Sequence, residues 1–202
     1  MTDLSGLLAA LEVRLRRFGA PVVEALRPGA PPELVRAELA AEGLAAPDEL
    51  VAWWGWHDGV EGPTVADGPG VVERPKSVLV DAWQLVSLAD ALRIRRWTLD
   101  EYARAGGAGI VPAGWIPVLH FTGAAWLAAD SAAGGAPLFL VDGGAGLPER
   151  PPTPQFSSLS EVVELVIRLF DDGVVCPDPD DPRVPSLRGA PVTEEVRRLT
   201  RW

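Results

Sequence analysis

The chain has 202 residues, 48% of them hydrophobic, with 18 basic and 28 acidic side chains and a formal net charge of −10. That length can bury a sizeable core, and the apolar content excludes a wholly disordered chain. The acidic balance disfavours nucleic acid and anionic lipid as partners and speeds encounter with a basic protein, although solubility alone would account for it.

In chain order, Leu4, Leu7, Leu8, Leu11, Leu15 and Phe18 recur at helical spacing and predict an amphipathic first helix, stopped by Gly19 and Pro21. Residues 27–32 read as a loop. Pro31-Pro32-Glu33 then starts a second helix, with proline and an acid in the first turn where the helix dipole favours them, and Gly43 ends it. Pro47-Asp48-Glu49 repeats the signal for a short third helix carrying Leu50, Trp53, Trp54 and His57 on one stripe, terminated at Gly59.

Residues 61–75, rich in Gly, Pro and acids, read as a mobile surface loop. Residues 77–86 hold β-formers around Trp83 and predict one strand. Ser87 caps a fourth helix running to Arg104, with Leu88, Leu92, Leu99 and Tyr102 inward. Gly106 to Gly109 break it. Three strand-like runs follow, 115–121, 125–130 and 137–142, and their short Gly-containing gaps predict an antiparallel meander.

After a loop at 143–154, Ser158-Leu159-Ser160-Glu161 is a capping box, opening a helix with Val162, Leu165, Val166, Leu169 and Phe170 on its apolar face and Gly173 at its close. The tail has an acidic, proline-rich stretch from 177 to 185. Thr193-Glu194-Glu195 then caps a last short helix running towards Trp202. No repeat and no convincing linker divides the chain, so residues 1–202 read as a single domain. The one cysteine, Cys176, suits a reducing compartment. With no signal-peptide pattern and no long apolar window, a cytoplasmic location is expected.

Residues able to carry chemistry are sparse. His57 and His120 are the only histidines, with Asp58, Asp130 and Asp142 as candidate orienting groups. A Ser-His-Asp hydrolase would need a positioned nucleophile, and no Gly-x-Ser-x-Gly elbow occurs. Cys176 precedes an acidic proline loop that would raise its thiol pKa. Metal-ligand spacings are missing, and Asp171, Asp172, Asp178, Asp180 and Asp181 read as a solvated acidic run. The glycine runs at 106–109 and 143–146 lack the strand–helix setting of a phosphate cradle. No metal and no cofactor is therefore expected.

Eight tryptophans are unusual for this length. Trp53, Trp54, Trp83, Trp115 and Trp126 fall on elements where core packing is expected. Trp56, beside an acidic glycine loop, and Trp97, among Arg93, Arg95 and Arg96, are candidates for surface anchors.

Taken together, the order of motifs resembles the SUKH superfamily. Leu44 to Leu50 followed by Trp53 to Gly59 is similar to the family's leucine-proline-acid-acid-leucine … tryptophan-His-Asn/Asp-Gly segment. Ser87 to Leu92 resembles its serine-leucine-x-x-alanine-leucine helix start. Trp115-Ile116-Pro117-Val118 with 125–130 resembles its tryptophan-isoleucine-proline … aspartate strands, and Ser158 to Gly173 its late serine-leucine-serine-glutamate helix. The resemblance spans about residues 30–175. Asp58 stands where many members have Asn, and the tail after Gly173 falls outside it.

The resemblance implies an α+β fold, a curved, mostly antiparallel sheet with helices packed against it, the first helix and the tail lying on that core. It also implies binding rather than catalysis. Bacterial members resemble immunity proteins that neutralise secreted toxins, many of them nucleases or deaminases, and fungal relatives regulate cell-wall synthesis and signalling. The expectation is a non-catalytic immunity protein for a cognate, basic protein toxin. An adaptor for an endogenous partner is the alternative, and a hydrolase using His57 or His120 with an aspartate is a remote one. If an interface exists, Trp56, Asp58, Glu61 and Asp67 place an aromatic anchor beside acids on one loop.

Overall fold

The computed structural model describes residues 3–61, 78–81, 83–121, 125–133, 135–142, 153–191 and 193–200. Helix α1, Leu4–Phe18, buries Leu4, Leu7, Leu8, Leu11 and Leu15 as one stripe, and Gly19 closes it at a φ of 78°. A four-residue helix α2, Val22–Ala25, follows in the short stretch between the Pro21 stop and the loop expected at 27–32. Helices α3, Pro32–Ala41, and α4, Asp48–Trp56, start at the two proline signals as expected. The long loop anticipated at 61–75 lies outside the described residues beyond Glu61.

The stretch 77–86 is not one strand. It forms β1, Val78–Val80, and β2, Trp83–Leu85, which pair antiparallel with Val80 opposite Trp83. Asp81 stands at the reversal with a φ of 57°. A short polar side chain tolerates that left-handed backbone, and apolar residues on both sides of it mimic one continuous strand in the sequence. Helix α5, Leu88–Arg104, follows from Ser87, whose hydroxyl accepts from the Asp90 amide.

Strands β3, Trp115–Phe121, β4, Ala125–Asp130, and β5, Leu138–Asp142, complete an open antiparallel sheet in the order β1-β2-β3-β4-β5. The fold is α+β, as expected, and the three runs form the anticipated meander. Register aligns Gln84, His120, Trp126 and Val141 in one row across the sheet, and Leu85, Leu119, Leu127 and Leu140 in the next. Adjacent rows point to opposite faces. Trp97 of α5 meets Trp126 edge-on at 6.3 Å, so α5 covers the face carrying Gln84 and His120.

Helix α6, Leu159–Asp171, packs against α1 and α4. Its capping box is displaced by one residue: Ser158 caps the Glu161 amide, while Glu161 reaches back to the Ser157 amide at 2.7 Å. The tail carries a small hairpin, β6, Cys176–Pro177, with β7, Pro185–Ser186, and ends in helix α7, Glu194–Thr200. It lies on the edge of the sheet. Asp81 donates its amide to the Pro185 carbonyl at 2.8 Å, and Trp83 Nε1 donates to the Leu199 carbonyl at 2.9 Å. Among the described residues, no helix is long and apolar enough to cross a membrane.

Candidate functional site

The tryptophan-rich turn is the densest meeting point of the sequence motifs. Trp53 and Trp54 are fully buried, as expected of core residues. Trp54 Nε1 donates to the Val86 carbonyl at 3.1 Å. Four residues on, Asp58 Oδ1 accepts from the Leu88 amide at 2.7 Å, joining Ser87 at the start of α5. Gly59 sits between these contacts with a φ of 76°, and a Cβ there would lie 2.7 Å from the Ser87 amide nitrogen. Glycine is therefore the residue the position requires.

The same turn is laced to the segment after α2. Ala30 donates to the Trp54 carbonyl, Asp58 to the Pro28 carbonyl, Arg27 to the Gly59 carbonyl, and Glu61 to the Ala25 carbonyl. Gly29 lies so close to the Gly55 carbonyl that any Cβ would overlap it. These backbone bonds replace the irregular loop read from the sequence with a two-stranded lacing around the Leu26–Val60 bridge.

Glu12 of α1 is the charged centre of this region, and sequence reasoning missed it. Its Oε2 accepts from Trp56 Nε1 at 3.1 Å and faces His57 Nε2 at 3.4 Å, while Arg16 bonds its Oε1 at 2.5 Å. Partial burial alone would raise the Glu12 pKa, but the hydrogen bonds from Arg16, Trp56 and His57 outweigh it and hold the carboxyl below its usual value. His57 Nδ1 lies 2.7 Å from the Arg27 carbonyl oxygen. The orienting groups of His57 are thus Glu12 and a backbone carbonyl, rather than Asp58 or Asp130.

Of the four residues anticipated as an interface, Trp56 is half-buried against Glu12 and His57, and Asp58 is half-buried on the α5 terminus. Glu61 is exposed, and Asp67 lies outside the described residues. Trp97 is 55% exposed on α5, whereas Trp83, Trp115 and Trp126 are buried as expected.

A second carboxylate joint lies at the other end of α4. Glu49 Oε2 accepts from the Leu159 amide at 2.8 Å, and its Oε1 accepts from the Ser160 amide at 3.3 Å and the Ser160 hydroxyl at 2.5 Å. The first motif therefore grips the last across 110 residues. No local signal marks it: an acid in a first turn reads as a dipole partner of its own helix.

The remaining chemistry is scattered. His120 is buried in the sheet beside Gln84 and Trp126, its Nδ1 without a partner, and burial lowers its pKa to about 4. Cys176 Sγ faces the Ser186 and Arg188 carbonyls. Asp180 and Asp181 are ion-paired with Arg188 and Arg183, so the acidic run is partly neutralised by its own neighbours. Among the described residues, neither histidine is hydrogen-bonded to a serine, threonine or cysteine side chain. Nor is any group of three or more His, Cys, Asp or Glu placed to hold a metal ion. What the tryptophan turn does chemically is position the start of α5, while Glu49 at the other end of α4 holds the start of α6.

No protein-family model matches the chain, and no curated protein matches it closely enough to count as a relative.

Proposed function

We propose that this protein is a non-catalytic binding protein of the SUKH type, an immunity protein that neutralises a basic, secreted-type protein toxin in the cytoplasm by direct contact. One observation carries the reading. Of the four motif segments that make the resemblance, the first meets both the second and the fourth in space. Glu49 of the proline-acid-acid segment caps the serine-leucine-serine-glutamate helix. Trp54, Asp58 and Gly59 hold the start of the serine-leucine-x-x-alanine-leucine helix. A set of motifs with mutual contacts is a stronger sign of a shared fold than the same motifs scattered by chance. The net charge of −10 suits capture of a basic nuclease or deaminase.

The test is co-expression with the toxin-like gene nearest to this one. Rescue of growth, with co-purification of the two proteins, is the expected outcome. Rescue of no candidate toxin removes the reading, and recovery of an endogenous signalling protein replaces it with the adaptor role. Within the anticipated interface, Glu61→Lys is the informative variant. Reversal at Asp58 would confound binding with loss of the α5 cap.

A further inference from the structure

The outer face of α5 carries an exposed tryptophan set between opposite charges. Its centre is Trp97, the most exposed large hydrophobic residue described, at 55%. Four residues before it stands Arg93 and four after it Glu101; seven after it stands Arg104, and seven before it Asp90, which is buried at the start of the helix. Steps of four and seven keep all five residues on one stripe of a helix. Arg93 is ion-paired with Asp90 at 2.6 Å, and Arg104 is ion-paired with Glu101. The stripe therefore has one pair at each end, of equal and opposite order about the tryptophan.

We propose that this stripe is a two-fold interface with a second copy of the chain, the two α5 helices crossing antiparallel at Trp97. In that arrangement Arg93 meets the second copy's Glu101 on each side of the axis, while Asp90 stays buried beneath its own Arg93. Each end of the contact then gathers Arg93 of one copy with Glu101 and Arg104 of the other, three charges of alternating sign. A two-fold contact requires self-complementarity, each residue facing a suitable partner in a copy of its own surface, and this stripe meets that condition. Charge makes the same choice of occupant. Copies of a chain with a net charge of −10 repel each other over most of their surface, whereas the stripe's exposed Arg93, Glu101 and Arg104 carry no net negative charge. Trp97 is already fixed edge-on against Trp126, so little side-chain freedom is lost when it is covered. One pair of helices about 25 Å long buries less than a standard interface, so a weak dimer in the micromolar range is expected.

Sedimentation equilibrium of the full chain, from about 1 to about 300 µM, reads the outcome. The wild type should reach a monomer–dimer equilibrium inside that range. Arg93→Glu and Glu101→Arg should each raise the dissociation constant at least about tenfold, because every dimer contains the altered contact twice. The double variant Arg93→Glu/Glu101→Arg restores opposite charges across the axis and should return to within about threefold of the wild type. Trp97→Ser should leave only monomer. Circular dichroism of each variant reads whether it has folded. Should Trp97→Ser misfold, Trp97→Cys in a Cys176→Ser background should cross-link to a covalent dimer with a short bis-maleimide, and a Val13→Cys control should not. A wild type monomeric throughout, or a dimer unmoved by the three substitutions, overturns the proposal.

Discussion

The starts of α5 and α6 are built alike and anchored differently. Each has a serine cap of its own, Ser87 and Ser158, and each also receives a carboxylate from one end of α4. At α5, Asp58 contributes a single oxygen to a single amide. At α6, Glu49 uses both oxygens on two amides and a hydroxyl. Helix α4 thus behaves as a strut with a carboxylate bolt at each end. The difference teaches that one joint depends on an oxygen in the right place, and the other on a whole carboxylate.

The largest break in this comparison comes from Gly59. Gly59→Ala forces a left-handed backbone on alanine and drives its Cβ into Ser87, and should cost about 4 kcal/mol or prevent folding, read by chemical denaturation. Gly43→Ala, also at positive φ but with open space around it, should cost about 1 kcal/mol and separates the two causes.

Acid supplies a second, separate effect. His120 has a folded pKa of about 4 against an ordinary value of 6.5, so the unfolded chain binds its proton first as the pH falls. Its contribution is whole above about pH 6.5, drains away down to about pH 4 and is then constant, a loss of about 3 kcal/mol. Denaturation midpoints followed from pH 7 to pH 4 should fall for the wild type and fall less for His120→Phe. Equal slopes would remove the assignment and leave the acid response to carboxylates such as Glu12.

The two carboxylate bolts give the smaller effects. Glu49→Gln replaces an acceptor oxygen with an amide that cannot accept, and should cost about 2 kcal/mol. Asp58→Asn keeps the one oxygen that is used and loses only its charge at the helix terminus, at a cost below about 1 kcal/mol. If the two substitutions cost the same, the distinction between the joints fails.

What was legible in the sequence was local. The serine caps of α5 and α6, the proline starts of α3 and α4, and the buried stripe of α1 all follow from residues a turn or two apart. Helix α2 is a single turn, too short to show periodicity, and the Asp81 reversal hides inside an apolar run. Within the candidate site, the burial of Trp53 and Trp54 was readable from their spacing. The roles of Glu12, Glu49 and Asp58 were not, because the partners that tie each to another element lie 30 to 111 residues away along the chain.

The tie between Trp83 and the Leu199 carbonyl spans 116 residues. On a ribosome that emits the chain from its N-terminus, the β1–β2 hairpin is made long before the segment that covers it. A nascent chain halted near residue 175 would hold the five strands without α7 and without the Pro185 carbonyl on Asp81. The hairpin edge would then stay open to strands of other molecules for that interval, a hazard that slow or paused synthesis lengthens.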